Sequence, residues 1–168
     1  MDLTGVHAHI GSQIFVAEAF AKAIGALAPF LHNHQLQEVS IGGGLGVAYV
    51  TGESAPSITG WAETVKEACL RYGIAARITA EPGRSIVAKA AVTLYTVGTI
   101  KEIDGIRTYV AVDGGMSDNP RPSLYGSGYE AFLPRATDAD RPMKVRIVGK
   151  HCESGDVIVA AADVPRDL

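Results

Sequence analysis

Apolar positions along this chain change their spacing about halfway, and that change divides the molecule. Gly5 to Ile10 is a short apolar segment whose only polar interruptions are His7 and His9, the pattern of a buried strand. Ala17 to Leu31 is alanine-rich, and Ala23, Leu27 and Phe30 recur at helical spacing, so it predicts an amphipathic helix. Val39-Ser40-Ile41 predicts a second buried strand, stopped by consecutive glycines. Ser57 to Tyr72 predicts a second helix with Gly73 as its stop signal, and Arg77 to Ala80 a third strand ending at Glu81. This rhythm is that of a parallel sheet covered by helices. Three strands are too few for a closed (β/α)8 TIM barrel but fit part of one. A polar or glycine motif follows each strand, at the edge where β/α proteins place their sites.

Beyond Arg84 the pattern shifts. Ala90 to Ile100 is rich in Val, Thr and Tyr, and Asp104-Gly105 separates it from Thr108 to Val112, which predicts an antiparallel hairpin. Lys144 to Val148 and Val157 to Ala161 are further strand candidates, whereas Ser117 to Pro142 predicts loop with short helical turns. The fold class is therefore α/β plus β, with residues 1–86 forming the β/α part and 87–168 part of a β-barrel or sandwich domain.

Composition narrows the function classes. With 47% hydrophobic and 20% charged residues the chain is globular in character. A net charge of -3, a pI near 5.9 and no basic cluster argue against nucleic acid or an anionic membrane surface. No segment has the apolar length to span a membrane, and Met1 to Gly5 lacks a signal core, so a cytoplasmic location is expected. Cys69 and Cys152 stand far apart in unlike surroundings, which gives no disulfide framework or thiolate metal site. Both ends read as cuts rather than domain boundaries.

Gly42-Gly43-Gly44-Leu45-Gly46 follows a strand, where missing β-carbons let backbone amides approach an anion; a plain turn explains it equally well. It matches neither a P-loop nor a dinucleotide fingerprint. Glu81-Pro82-Gly83-Arg84 lies at the same edge. Glu81 there either pairs with Arg84 or faces a protonated heteroaromatic nitrogen. His7 and His9 share one side of a strand, but no third ligand follows at a known spacing, so no metal is expected. Cys69 falls in a helical apolar pattern and reads as core, while Cys152, between His151 and Glu153, is the cysteine whose reactivity could matter. Asp113 reads as part of a strand-end turn.

Taken together, His7-Ala8-His9-Ile10-Gly11-Ser12-Gln13, Gly42 to Gly46, Glu81-Pro82-Gly83-Arg84-Ser85, Asp113-Gly114-Gly115-Met116, Arg121-Pro122-Ser123-Leu124-Tyr125 and Cys152-Glu153-Ser154-Gly155-Asp156 resemble the diaminopimelate decarboxylase family. These are pyridoxal-phosphate enzymes of the alanine racemase-like fold group, and the resemblance runs nearly end to end. It implies a β/α barrel followed by a β domain, and decarboxylation of meso-diaminopimelate to L-lysine by a homodimer with shared active sites. It further implies that His9 stacks on the pyridine ring of pyridoxal 5'-phosphate. Ser12, Gly42, Gly43, Gly44, Gly83 and Arg84 would hold the phosphate, and Glu81 would pair with the ring nitrogen. Arg84, Arg121 and Tyr125 would bind substrate carboxylates, Glu153 the distal amino end, and Cys152 would act in protonation from the neighbouring subunit. A carboxylate opposite the ring nitrogen favours its protonated form, which supports decarboxylase chemistry over racemase chemistry.

The chain departs from the family pattern in three places, one being the absence of the late tyrosine-bearing segment that follows the Cys-Glu-Ser motif. Lys150-His151 stands where many relatives have Gly-Pro. The family's Schiff-base lysine has no counterpart, since Lys22, Lys66 and Lys89 match no such position. The resemblance therefore implies a central-to-C-terminal fragment, inactive by itself. The alternatives are a pyridoxal-phosphate decarboxylase of another basic amino acid, ornithine or arginine, and a non-catalytic pyridoxal-phosphate-binding protein.

Overall fold

A computed structural model of the chain describes residues 2–168. They fold into two compact units. One comprises the chain up to Ala48 together with Gly52–Val92, the other Tyr49–Thr51 together with Thr93–Leu168.

In the first unit, β1 (Gly5–His7), β2 (Glu38–Ser40) and β3 (Arg77–Thr79) form a parallel sheet in that order, with Val6, Val39 and Ile78 in register. Helix α1 (Glu18–His34) connects β1 to β2, and α2 (Ile58–Arg71) connects β2 to β3. The Ser57 hydroxyl caps α2 by accepting from the Gly60 N–H at 3.0 Å. Phe20, Ala21 and Ile24 of α1 pack with Trp61, Val65, Ala68 and Cys69 of α2 over Ile41 and Leu45. The buried stripe of α1 is thus Phe20, Ile24, Ala28 and Leu31, not the Ala23, Leu27 and Phe30 face expected from spacing; Phe30 is 59% exposed. So many residues of α1 are apolar that two faces satisfy the helical period, and contact with α2 selects one of them. A short helix, α3 (Arg84–Val87), follows β3.

In the second unit, β4 (Val97–Ile103) and β5 (Arg107–Val112) form the expected hairpin, turning through Gly105 at φ +69°, although its first strand runs from Val97 to Ile103 and not from Ala90 to Ile100. Helix α4 (Arg121–Tyr125) lies in the long connection to β6 (Met143–Val148), which pairs antiparallel with β7 (Val157–Val164). Between β5 and β6, however, the pairing is parallel, with Thr108 opposite Val145 and Val110 opposite Ile147. The four strands thus make a mixed open sheet in the order β4-β5-β6-β7. The connection through residues 113–142 is long enough to return the chain to its starting end, which a hairpin turn cannot do. Val110, Val112, Val145, Ile158, Val159, Ala162 and Val164 form the core of this unit.

Neither sheet closes into a barrel among the described residues. No helix there is long and apolar enough to cross a membrane.

Phe20 and Trp61 meet edge to face at 5.6 Å, so the chain's one tryptophan reports on the first unit's core. Phe20→Ala should lower that unit's unfolding free energy by about 3–5 kcal/mol. Phe30→Ala, on the exposed side of the same helix, should cost less than about 1 kcal/mol. Urea titration followed by Trp61 emission measures both, and comparable losses would show that the burial pattern of α1 is wrong.

Candidate functional site

The three parallel strands end together, and backbone bonding continues past them. Ala8 N–H donates to the Ser40 carbonyl (3.0 Å), Ile41 N–H to Thr79 (3.0 Å) and Glu81 N–H to Gly42 (2.8 Å). His9, the glycine run and Glu81 are thereby set side by side. The glycines are required for this approach. A β-carbon on Gly43 would strike the Glu81 carbonyl oxygen, and one on Gly44, at φ +94°, the Gly11 carbonyl oxygen. Gln13 pins the same region: its side-chain amide donates to the Val47 carbonyl at 3.0 Å and accepts from the Val47 N–H at 3.2 Å.

Glu81 is exposed, and its Oε1 is held at 3.1 Å by His7 Nε2 and at 3.1 Å by the Ser40 hydroxyl. The hydrogen bond from His7, and then that from Ser40, hold this carboxyl below the ordinary glutamate range. At neutral pH the site therefore presents a fixed negative charge to solvent. Beside it, the Gly43 N–H donates to His9 Nδ1 at 3.2 Å, so the ring hydrogen sits on Nε2 and the orientation of the exposed imidazole is fixed. Gly42 N–H donates to Ser40 Oγ at 3.3 Å. The Gly42 and Gly43 amides thus turn to Ser40 and His9 as their acceptors. Ser12 and Gly83 are exposed, Arg84 is half-buried, and the Ser85 hydroxyl is enclosed without a hydrogen-bond partner.

In the second unit Arg121 opens α4, its guanidinium lying over the ring of Tyr125 at 5.2 Å and the ring of Tyr49 at 5.7 Å. Tyr49 in turn stacks on Tyr129 at 5.3 Å. The Ser123 hydroxyl, also on α4, donates to the Gly155 carbonyl at 2.9 Å, which ties this helix to the β6–β7 loop. Cys152 and Glu153 stand exposed on that loop, and Glu153 Oε1 accepts from Ser154 Oγ and Gly155 N–H, each at 3.2 Å. Asp156, 3% exposed, anchors it by accepting from Met116 N–H at 2.6 Å and His151 N–H at 2.8 Å. His151 Nε2 lies 2.8 Å from Ser117 Oγ, so its partner is Ser117 and not the adjacent thiol. Burial pushes the Cys69 thiol up, whereas Cys152 is open to solvent. The Thr96 N–H, at 2.8 Å, holds the Asp113 carboxyl below its usual range, which gives it a structural part in this turn.

Four residues acquire parts that the sequence did not assign. Ser40 and His7 fix Glu81, Asp156 anchors the Cys152–Glu153 loop, and Tyr49 faces Arg121. Only His7 left a usable signal, its placement two residues before His9 on one strand side.

Known proteins match this arrangement along almost the whole chain. The chain is 43% identical over 171 residues to the diaminopimelate decarboxylase of Synechocystis, covering 96% of this chain and 36% of that relative. It is 46% identical over 176 residues to the diaminopimelate decarboxylase of Staphylococcus aureus, covering 100% and 41% respectively. The crystal structure of the M. jannaschii diaminopimelate decarboxylase in complex with L-lysine superposes with a TM-score of 0.82 at 30% identity, over 95% of this chain and 38% of that one. The chain therefore spans about two-fifths of the length of the relatives it matches. Residues 1–88, more than half of the chain and including His9, Gly42–Gly44 and Glu81, match the family model for the pyridoxal-binding domain of pyridoxal-dependent decarboxylases, and the chain belongs to that family.

Proposed function

We propose that this protein decarboxylates meso-diaminopimelate to L-lysine with pyridoxal 5'-phosphate as cofactor. The observation that carries the reading is Glu81, an exposed carboxylate kept ionised by His7 and Ser40 next to a histidine ring whose orientation is fixed. A flat heterocycle with a protonated ring nitrogen suits that pairing. The enclosed, unpartnered Ser85 hydroxyl at the Gly83-Arg84 turn is a donor available to an anionic group. These residues fit the cofactor. When bound, pyridoxal phosphate supplies an electron sink for the pair left on the substrate carbon as carbon dioxide departs.

Within that reading Glu81 holds the ring nitrogen protonated and His9 packs on the ring face. Ser12, the Gly42–Gly44 backbone and the Gly83–Arg84 turn hold phosphate. Because the Gly42 and Gly43 amides already have acceptors, Ser12 and the Gly83–Arg84 turn carry most of that grip. Arg84, Arg121 and Tyr125 bind substrate carboxylates, and Glu153 takes the distal ammonium. Cys152, exposed on its loop, delivers a proton in the site of the other subunit of a homodimer. The strand–helix alternation of the first unit supports its being part of a (β/α)8 barrel, and the sheet of the second its being part of a β domain. A cytoplasmic location accords with this chemistry.

The test of the reading is turnover by the natural-length, cofactor-loaded protein. It should decarboxylate meso-diaminopimelate in strong preference to L-ornithine, and the reverse preference would replace the substrate assignment. Glu81→Gln should reduce kcat by about 10²-fold or more with pyridoxal phosphate still bound. Turnover close to that of the parent would remove Glu81 from the mechanism.

The hydrogen bond from His7 also has a pH consequence. A lowered carboxyl pKa means that folding favours the ionised form. Its contribution is present above the ordinary glutamate value near 4.3 and is lost as pH falls through the lowered one. His7→Ala should therefore move the Glu81 midpoint upward, as read from the carboxyl carbon shift in an NMR titration of this chain. An unmoved midpoint would deny His7 that part.

Shared sites make a third expectation. Subunits carrying Cys152→Ala, mixed with subunits carrying Glu81→Gln, should regain activity in heterodimers, because one of the two sites then receives both native residues. Heterodimers as inactive as either parent would place Cys152 in its own subunit's site.

A further inference from the structure

We propose that Tyr49 is a positioning residue for Arg121 and, through it, sets the preference for substrates whose far end carries a carboxylate. The proposal rests on the assignment of Arg121 to that carboxylate.

The Arg121 guanidinium lies over two tyrosine rings. The Tyr125 and Tyr49 rings lie 5.2 and 5.7 Å from its central carbon, within the range where a ring quadrupole attracts a cation. No carboxylate pairs with Arg121 among the described residues. Its Nε is enclosed without a partner, and Nη2 makes only a long 3.4 Å contact to Ser127 Oγ. Aromatic faces stabilise the charge without engaging the in-plane N–H donors. Those donors are the ones that grip a carboxylate side by side, and a protein carboxylate in the same place would have engaged them already.

Of the two rings, Tyr49 is the better placed to fix the cation. Tyr125 sits on the same short helix as Arg121 and is 70% exposed. Tyr49 comes from a distant part of the sequence, is half-buried, and stacks on Tyr129 at 5.3 Å with the planes 27° apart. Its ring is therefore braced by a second ring, and it limits where the guanidinium can lie. A loose arginine would bind a remote carboxylate with greater loss of side-chain freedom, and that loss would appear in substrate binding more than in the chemical step.

The test changes the ring's electronics while keeping its shape. In the natural-length, cofactor-loaded protein, Tyr49→Phe should keep KM for meso-diaminopimelate within about twofold. Tyr49→Leu and replacement of Tyr49 by pentafluorophenylalanine, whose ring face repels cations, should each raise it about tenfold, with kcat within about threefold and L-ornithine kinetics unchanged. A rise with leucine alone would mark a packing role and overturn the proposal, as would an unchanged KM in both. Arg121→Lys, measured alongside, separates the two ideas. If it leaves KM for diaminopimelate unaltered, the assignment of Arg121 falls; if it raises KM while the Tyr49 variants do not, only the part of Tyr49 falls. A readout free of turnover comes from NMR of this chain, where the side-chain Nε–H resonance of Arg121 should carry a ring-current shift that Tyr49→Leu removes. An Arg121 resonance indifferent to the loss of the ring would refute the contact outright.

Discussion

Parallel backbone pairing that runs past the ends of β1, β2 and β3 is the constraint on which the first unit's chemistry depends. Each strand is short, and the paired residues number only three on each. The bonds from Ala8 to Ser40, Ile41 to Thr79 and Glu81 to Gly42 extend the ladder into the loops and fix their relative height. The glycine run is what permits this. With a β-carbon at Gly43 or Gly44 the neighbouring carbonyl oxygens would be displaced, and the histidine and the glutamate would move apart. Glycine here thus has a packing reason that holds whether or not phosphate is near it.

Charged groups in the two units are held in three different ways, each matched to its exposure. Glu81 remains in water and is fixed by a histidine and a hydroxyl, so its charge is available to a ligand. Asp156 is buried and engages two backbone N–H groups, which satisfies a buried carboxylate and ties its loop to the segment around Met116. Arg121 lies against aromatic rings, with its Nε enclosed and without a partner. A carboxylate with its oxygens occupied serves as an anchor for its loop.

Much of this was legible in the sequence. The alternation of strand and helix, the hairpin at Asp104-Gly105 and the motifs around His9, Gly42, Glu81, Arg121 and Cys152 follow from periodicity, turn chemistry and ordered local patterns. Those are properties of neighbours along the chain. The parts of Ser40, Asp156 and Tyr49 were not legible, because each acts on a partner distant in sequence.

The sequence by itself determined which segments become strands and helices and which residue types stand at their ends, since local propensity and the spacing of apolar residues decide both. Only the tertiary structure decided which face of α1 is buried, because its apolar residues satisfy more than one stripe until α2 supplies Trp61 and Val65. Only it decided that β5 and β6 run parallel, because a long connection is compatible with either direction and pairing selects one. The site followed the same division. Glutamate, histidine and arginine were given by the chain, but the charge of Glu81, the ring orientation of His9 and the ring contacts of Arg121 were set by groups that only folding brings within hydrogen-bonding or ring-contact distance.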